Sequence, residues 1–228
     1  STPNVDFRLG YMERLDAMDI ADNSVDVVIS NCVLNLAPDK EVVFAEIMRV
    51  LKPGGELYFS DVFADRRLPE AMRSDPILVG ECLGGALYTE DFRRLMRGLG
   101  VADYRLMSSR LIEPSNDQLE AQMGNARFYS ITVRAFKLPL LEDRCEDYGQ
   151  VAWYKGTIAE APHRFVLDDH HTFITGKPMP VCSNTAMMLA DTRFSEHFRI
   201  DGDTSTHFGL FDCDPVAAGN ENGPGACC

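Results

Sequence analysis

The stretch that decides the fold is residues 25–62, VDVVISNCVLNLAPDKEVVFAEIMRVLKPGGELYFSDV. It opens with β-branched and apolar residues at Val25–Ser30, a pattern typical of a strand buried on both faces of a sheet. Asp39–Leu51 then places apolar side chains on one stripe and predicts an amphipathic helix. Pro53-Gly54-Gly55 stops that helix, and Glu56–Val62 predicts the next strand. Strand, helix and strand in this order predict an α/β sheet with right-handed crossovers.

Both flanks of this stretch extend the same pattern. Upstream, the alternation in Val5–Leu9 predicts a short strand that ends at a loop. Downstream, a helix is predicted from an N-cap at Thr89 to Leu99. The remaining elements predicted here are a strand over Tyr104–Ile112, a helix over Asn116–Met123 and a strand over Phe128–Phe136. Everything to about residue 137 therefore fits one α/β unit.

The character of the chain changes at Leu138-Pro139-Leu140. Short β-prone segments separated by turn signals follow, at Gln150–Lys155, His163–Leu167 and His171–Ile174. Ser183 is a candidate cap for a helix over Thr185–Asp191. Residues 214–228 lack periodic apolar residues and predict a disordered tail. We therefore predict three parts, which are residues 1–137, a small α+β domain over 138–213 and a tail over 214–228.

Charge and hydropathy exclude two classes of partner. The chain of 228 residues has 35 acidic and 22 basic residues, a net charge of −13. Nucleic-acid binders need a basic surface, so we expect no nucleic-acid partner. No apolar run approaches the roughly 18 residues that span a bilayer, and residues 1–6 lack the features of a signal peptide. We expect a cytoplasmic monomer without a membrane partner.

The seven cysteines are interpreted as free thiols. They are an odd number and too few for a disulfide scaffold, and a reducing cytosol keeps thiols free. A free cysteine ordinarily behaves as a small buried apolar residue. Residue types alone therefore leave both a structural and a functional interpretation open for Cys32, at a strand end, and for Cys82, in a glycine-rich loop.

Three segments resemble arsenite methyltransferases. They are Ser30–Leu36 (SNCVLNL) with the following Pro38-Asp39-Lys40, Arg49–Leu57 (RVLKPGGEL), and Gly80–Tyr88 (GECLGGALY). The helix, Pro-Gly-Gly and strand element is shared by many S-adenosylmethionine (SAM) methyltransferases, whereas the two cysteine contexts are specific. The resemblance is strong to residue 136 and looser to about residue 200. It implies a Rossmann-like SAM-dependent methyltransferase sheet, here its C-terminal part, followed by a small α+β domain.

The resemblance implies that Cys32 and Cys82 are catalytic ligands of trivalent arsenic. This arsenic centre is soft, and thiolates are the soft ligands of proteins. Three sulfur ligands leave the arsenic lone pair free to attack the methyl group of the sulfonium, so alignment supplies most of the catalysis. The substrate would be arsenite or its thiol conjugates, methylated for detoxification. A thiol reductant such as glutathione or thioredoxin would regenerate the cysteines.

The resemblance also implies cofactor contacts. Gly10-Tyr11-Met12-Glu13 matches the segment that lies against the SAM adenine, where Met12 would offer an apolar face and Glu13 a polar group. Asn31 would contact the amino-acid portion of SAM. The residues alone are equally compatible with Met12 as a core residue and Glu13 as a solvated carboxylate at a helix start.

The sequence also departs from the family pattern. It contains no GxGxG loop, no acidic residue after a second strand, and no N-terminal arsenic-ligand cysteine. It therefore resembles the C-terminal three-fifths of the enzyme, and we expect residues 1–228 alone neither to bind SAM tightly nor to methylate arsenic. Ala126 stands where some relatives carry a further cysteine, which removes a possible disulfide partner.

The other cysteines and the histidines have no matched functional context. Cys145, Cys182 and Cys213 are predicted to be structural, and Cys227-Cys228 could either chelate arsenic or have no role.

His170 and His171 are adjacent, so in a strand they point to opposite faces and cannot converge on one ion. Asp168-Asp169 is predicted to lie in a solvated turn. We therefore expect no metal site.

Two alternative functions remain open. A SAM methyltransferase acting on carbon or oxygen would share Leu51–Gly55 but has no need of two thiols. A non-catalytic arsenic-binding fragment would use the thiols without turnover. Replacing Cys32 and Cys82 separately in an intact chain distinguishes the arsenite enzyme from the carbon or oxygen methyltransferase. Titration of arsenite with and without SAM separates binding from catalysis.

Overall fold

The computed structural model describes residues 4–212. The strands are β1 (Val25–Asn31), β2 (Leu51–Ala64), β3 (Leu87–Tyr88), β4 (Tyr104–Leu111), β5 (Phe128–Phe136), β6 (Glu146–Asp147), β7 (Val151–Tyr154), β8 (Arg164–Val166), β9 (Thr172–Ile174), β10 (Pro178–Pro180), β11 (Phe198–Asp201) and β12 (Gly209–Leu210). The helices are α1 (Lys40–Val50), α2 (Glu70–Arg73), α3 (Pro76–Gly80), α4 (Thr89–Gly98), α5 (Asp117–Met123) and α6 (Ser183–Ala190). Short 3₁₀ segments span Met12–Met18, Leu34–Leu36 and Ser195–His197.

The main sheet has the strand order β1-β2-β5-β4, and the short β3 pairs with the far end of β2. β1 and β2 are parallel, in a register that runs from Val27 opposite Glu56 to Asn31 opposite Ser60. β5 is antiparallel to both β2 and β4. The predicted α/β class is confirmed. The parallel pair brings the carboxyl ends of β1 and β2 to one edge, where ligands bind in open α/β sheets.

Helix α1 connects these two parallel strands. Its N-cap is Asp39, whose carboxylate accepts a hydrogen bond from the Val42 amide at 3.1 Å. The turn after the helix depends on Gly54, which has a φ of +75° and donates its amide to the Lys137 carbonyl at 2.8 Å. A Cβ at this position would lie 2.4 Å from the Asp191 carbonyl oxygen. Glycine is therefore needed both for the backbone angle and for the close packing of the C-terminal part.

An aromatic cluster forms the centre of the core between the sheet and its helices. Phe92 of α4 contacts Phe44 of α1, Phe63 of β2 and Tyr104 of β4, with ring centroids 5.5, 5.2 and 5.0 Å apart. Burying a phenylalanine side chain contributes roughly 1.5–3 kcal/mol. The cluster therefore fixes α1 and α4 against the strands whose ends carry the candidate site.

The C-terminal part has its own core. β7 lies between β10 and β11 in an antiparallel sheet, while β8 pairs with β9 and β12 with β6. Tyr154 and Phe173 are fully buried there. An ion cluster around the buried Glu56 of β2 joins this part to the main sheet, since Glu56 contacts the buried Arg134 of β5 and the half-exposed Arg193, each at 2.6 Å. Two of its three members belong to the main sheet.

Three local predictions are wrong. Val5–Leu9 forms no strand, and Phe7 in it is 93% exposed. Alternation predicts a face, but a strand also needs a neighbour for its backbone hydrogen bonds, and no described strand lies beside this segment. Thr89 is the first residue of α4 rather than its cap, which is Tyr88. The cap of α6 is Cys182 rather than Ser183, because the Cys182 sulfur accepts the Thr185 amide at 3.5 Å.

The prediction that Asp168 lies in a solvated turn is also wrong. Its carboxylate is 2% exposed and binds His171 Nδ1 at 2.8 Å and Arg105 of β4 at 3.4 Å. The predicted tail over residues 214–228 and Cys213 lie outside the described residues. No helix within residues 4–212 has the length and apolar character that crossing a bilayer requires.

Candidate functional site

Cys32 follows directly after β1, at the carboxyl end of the parallel pair. Its amide donates to the Ser60 carbonyl of β2 at 2.8 Å, which continues the strand pairing by one residue. Its φ is +53°, in the left-handed region that residues with a Cβ seldom adopt. Its sulfur lies 3.7 Å from Asn31 Oδ1. The residue is exposed, so its thiol is accessible from this edge of the sheet.

Cys82 lies in the loop after α3 and has the same backbone feature, with a φ of +62°. The amides of Cys82 and Leu83 donate to the Val79 and Leu78 carbonyls at 3.1 and 2.7 Å, so the loop turns back on the helix. Leu83 is 2% exposed and anchors the loop in the core. Left-handed backbone outside glycine costs about 1–3 kcal/mol and clusters at functional sites.

The two glycines after Cys82 let this loop approach the segment after β1. A Cβ at Gly85 would lie 2.2 Å from the Asn35 carbonyl oxygen, and one at Gly84 would lie 2.9 Å from the Val79 side chain. Asn35 is itself buried, and its amide donates to Asp61 Oδ2 at 3.1 Å. Gly85 is therefore needed to pack the Cys82 loop against the Cys32 segment, and Gly84 is needed for the turn of the loop against Val79.

Asp61 of β2 follows Ser60, the residue that pairs with Asn31 next to Cys32. It is 2% exposed and accepts hydrogen bonds from the Asn35 and Val62 amides at 3.1 and 2.8 Å. Burial raises the pKa of Asp61. Loss of hydration also raises the pKa of Cys32, although its side chain is accessible, and the neighbouring Asp61 and Cys82 raise it further.

The sequence places Ser60-Asp61 at a strand end where ligands bind, but neither Asp61 nor Asn35 is predicted as a site residue. One signal for Asp61 was available, because a carboxylate stands within the apolar run YFSDVF of β2. A charged residue in a buried strand needs a partner or a function. No comparable signal marks Asn35, whose role depends on the approach of Gly85.

The residues predicted to contact SAM lie in two places. Asn31 is the last residue of β1 and is exposed beside Cys32. Gly10, Met12 and Glu13 lie in or next to the 3₁₀ segment that packs on α1, with Met12 half-buried against the main core. No described hydrogen bond joins Gly10, Met12 or Glu13 to Cys32.

Ala126 lies in the same apolar cluster as Cys82. It is buried with Leu119, Met123 and Phe128, and Cys82 packs against the edge of this cluster. The other two described cysteines, Cys145 and Cys182, are buried in the C-terminal part and do not belong to this site.

Potential ligand atoms of Asp168, Asp169 and His170 lie within 4.8 Å of one another. Asp168 is already engaged by Arg105 and His171, and its Oδ1 accepts the amide of His170 at 2.9 Å. These contacts account for the cluster as a structural feature of the C-terminal part.

A groove of about 950 Å³ lies between α1 and α4, and neither Cys32 nor Cys82 lines it. Lys40 lines it, and the Asp61 carboxylate acts on this ammonium electrostatically. Burial and the neighbouring Arg73 charge lower the pKa of Lys40. Acidic residues also line the groove, at Asp39, Glu41 and Asp91.

Comparison with known proteins agrees with this geometry. Residues 1–100 match a family model described as a methyltransferase domain, and residues 147–217 match the arsenite methyltransferase C-terminal domain. The solved structure of an arsenic(III) S-adenosylmethionine methyltransferase from Chlamydomonas reinhardtii superposes with a TM-score of 0.84 at 54% identity, covering 89% of this chain and 68% of that one. The fold and these matches define a methyltransferase.

The curated relatives narrow the class to one family. Over 209 residues the chain is 56% identical to the arsenite methyltransferase of Aquipseudomonas alcaligenes, which covers 92% of this chain and 60% of the relative. Over 198 residues it is 43% identical to the arsenite methyltransferase of Mus musculus, with 86% and 51% covered. The chain thus spans between about half and three-fifths of the length of these relatives. It belongs to the arsenite methyltransferase family.

Proposed function

We propose that this chain supplies the arsenic-binding thiols of a SAM-dependent arsenite methyltransferase that serves arsenic detoxification. The observation that carries the proposal is that Cys32, at the end of β1, and Cys82, in the loop whose Gly85 packs against Asn35, both lie on left-handed backbone. Thiols are the ligands that a soft trivalent arsenic centre prefers. A carbon or oxygen methyltransferase gives no reason to hold two strained cysteines at the carboxyl end of β1.

Arsenite can bind to this pair of thiols without a general base, because the proton of each thiol leaves with a hydroxyl group of arsenous acid as water. Each protonated thiol replaces one hydroxyl of arsenous acid, so an As–S bond forms, an As–O bond breaks and one water leaves. Two such exchanges place arsenic between Cys32 and Cys82, and a third sulfur completes the ligand set. The rigid backbone at both cysteines orients the arsenic lone pair, which is the positioning that this reaction needs.

The described residues fit the methyl donor in part. Asn31 would hold the amino-acid portion of SAM, and Gly10, Met12 and Glu13 would line the adenine. SAM supplies an electrophilic methyl group. The exposed Asn31 amide beside Cys32 is the polar group that such a ligand requires at the end of β1. The sequence offers no glycine-rich loop for the rest of the cofactor.

We propose a cytoplasmic location and a thiol reductant such as glutathione or thioredoxin as the redox partner. Arsenic-ligand thiols must remain reduced, which a reducing compartment provides. One chain contributes both thiols, so a monomer suffices for the pair. The net charge of −13 favours neither a nucleic-acid nor an anionic-membrane partner.

Protection from alkylation tests the binding step. Arsenite added to the 228-residue chain should protect Cys32 and Cys82 from iodoacetamide at one arsenic per chain. Cys32→Ser or Cys82→Ser should weaken binding at least tenfold, because one As–S bond is lost. Cys145→Ser is the matched control and should bind normally. Equal alkylation of both site thiols with and without arsenite would contradict the proposal.

A chimera tests turnover. Residues 1–228 replace the matching segment of the Chlamydomonas enzyme, which they cover to 68%. We expect SAM-dependent methylation of arsenite that Cys32→Ser and Cys82→Ser abolish and Cys145→Ser preserves. The 228-residue chain alone is expected to bind arsenite without turnover. A chimera that binds arsenite but never methylates it would favour the non-catalytic alternative.

The groove beside α1 supports a thiol conjugate as one form of the substrate. Lys40 and Arg73 form no salt bridge with another described residue. Their positive charges would bind the carboxylates of an arsenic–glutathione conjugate. Lys40→Met should therefore weaken binding of the conjugate about threefold to tenfold while leaving free arsenite unaffected. If Lys40→Met weakened binding of the conjugate and of free arsenite equally, the groove would not be part of the site that binds the conjugate.

A further inference from the structure

A second pair of thiols lies in the C-terminal part of the chain, outside the arsenite site. Cys145 lies in the loop before β6, and Cys182 is the N-cap of α6. Both are buried, Cys182 at 1% and Cys145 at 7% exposure. The segment that carries Cys145 packs against the first turn of α6, since the Glu142 amide donates to Asn184 Oδ1 at 2.9 Å and the Ser183 hydroxyl donates to Glu142 Oε2 at 3.0 Å. This packing brings the Cys145 side chain next to Cys182, where it interacts with the Cys182 sulfur.

The surroundings of Cys182 stabilise a thiolate. Its sulfur accepts the Thr185 amide at 3.5 Å, lies 3.3 Å from Thr185 Oγ1 and lies 3.9 Å from Arg105 Nη2. The hydrogen bond from Cys145 and the charge of Arg105 lower the pKa of Cys182 despite its burial. Asp103 and Asp168 hold this guanidinium in place at 2.8 and 3.4 Å. A thiolate next to a thiol is the arrangement from which disulfides form.

We propose that Cys145 and Cys182 are a redox-active pair that a small peroxide, such as hydrogen peroxide, converts to a disulfide. The Cys182 thiolate attacks one peroxide oxygen, the O–O bond breaks, and the departing hydroxide takes a proton to leave as water. The resulting sulfenic acid is attacked by the Cys145 sulfur. The S–S bond forms, and the sulfenic oxygen leaves as a second water with the Cys145 proton. Two thiols are oxidised and one peroxide is reduced.

The geometry favours oxidation over metal binding. The groups closest to Cys182 besides Cys145 are the donors Arg105 and Thr185, and a cation held by the sulfurs would meet the guanidinium at close range. Burial also excludes a bulky disulfide oxidant such as oxidised glutathione, whereas a peroxide is only slightly larger than water. Access is easier from Cys145, whose neighbour Arg144 is exposed.

Peptide mapping of the full 228-residue chain tests the proposal. After treatment with hydrogen peroxide and digestion without reductant, we expect one linked peptide that contains Cys145 and Cys182 and has lost two hydrogen atoms. A Cys32→Ser/Cys82→Ser variant should give the same linkage. Cys145→Ser should abolish it and leave Cys182 as a sulfenic acid that a dimedone probe labels. If Cys145→Ser does not fold, the wild-type linkage remains decisive.

Two outcomes would overturn the proposal. One is recovery of both residues as free, alkylatable thiols after denaturation, under peroxide conditions that oxidise Cys32 or Cys82. The other is protection of the pair by arsenite, which would make it a second arsenic site. Loss of arsenite binding at Cys32 and Cys82 would leave this proposal intact, because the two pairs share no described contact.

Discussion

Cys32 and Cys82 hold their sulfurs on backbone that residues with a Cβ seldom adopt. Of the other described non-glycine residues with positive φ, one is an aspartate and one an asparagine, Asp19 and Asn23, which tolerate this region well. The strain at the two cysteines is maintained by the backbone hydrogen bonds to Ser60 and Val79. Both thiols are therefore oriented before any ligand arrives.

The strain at Cys32 predicts a difference between two variants that both lack the thiol. Cys32→Gly should be more stable than Cys32→Ala by about 1 kcal/mol, because only glycine adopts a φ of +53° without steric cost. Chemical denaturation measures the difference. Both variants should lose arsenite binding equally. An alanine variant as stable as the glycine variant would show that the backbone relaxes at this position.

The negative charge of Asp61 is expected to slow the reaction of the Cys32 thiol with alkylating reagents. Asp61→Asn removes the negative charge and keeps one of the two oxygens that accept the Asn35 and Val62 amides. Because the Asp61 charge raises the pKa of Cys32, the variant should increase the thiolate fraction of Cys32 at pH 8. We expect iodoacetamide to react with Cys32 several-fold faster, measured in a Cys82→Ser background. An unchanged or slower rate would contradict the electrostatic coupling.

At the scale of elements, the loop between α3 and β3 decides whether the two thiols meet. Cys82 and Cys32 are 50 positions apart in the chain, and no local pattern brings them together. The approach of the two segments depends on Gly85, which brings the loop against Asn35. Both glycines belong to the motif that resembles the family, but only the packing reveals the steric reason for them.

Gly85→Ala should separate the two thiols. An added Cβ would lie 2.2 Å from the Asn35 carbonyl oxygen, so the loop must move away. We expect arsenite affinity to fall at least tenfold, as measured by protection from alkylation, with a loss of stability of roughly 1–3 kcal/mol. The matched control is Gly80→Ala, where a Cβ meets no atom within 4 Å. Normal affinity in Gly85→Ala would refute this role of the glycine.

At the scale of the whole molecule, buried charges connect the C-terminal part to the main sheet. Arg105 of β4 binds Asp168, which in turn binds His171, and Glu56 binds Arg134 and Arg193. Buried charges are tolerated only when they are paired, so breaking such a cluster is costly. The two parts are therefore expected to unfold together.

Acid should weaken this connection. Burial alone would raise the pKa of Asp168, but the hydrogen bond and charge of His171 and the charge of Arg105 lower it to about 2. The depressed folded-state pKa contributes stability that is present above the unfolded value of roughly 4 and is lost as pH falls toward 2. Its size is about 2 kcal/mol.

Asp168→Asn tests that contribution. At pH 7 the variant should unfold at a lower denaturant concentration than the wild type. Between pH 5 and pH 2 its free energy of unfolding should fall less steeply, because the titrating carboxylate is gone. Denaturation at several pH values measures both effects. If the free energies of unfolding of the two proteins fell in parallel with pH, the acid sensitivity would come from groups other than Asp168.

Much of the fold could be predicted from the sequence, because its signals are local. The apolar run of β1, the Asp39 cap and Pro53-Gly54-Gly55 each act through neighbouring residues, and Phe128–Phe136 was predicted to the residue. The strand predicted over Val5–Leu9 does not form, because a strand also requires a partner elsewhere in the sheet. Asp168 was misplaced for the same reason, since Arg105 lies 63 positions away.

The sequence by itself determined the α/β order and the family, and it singled out the two cysteines, because these depend on residue type and short motifs. Only the tertiary structure decided that Cys32 and Cys82 share left-handed backbone, and that the segment of Cys145 packs against the start of α6 at Cys182. Both pairings join residues distant in the chain. Their geometry follows from packing and close backbone approach, which no local pattern encodes.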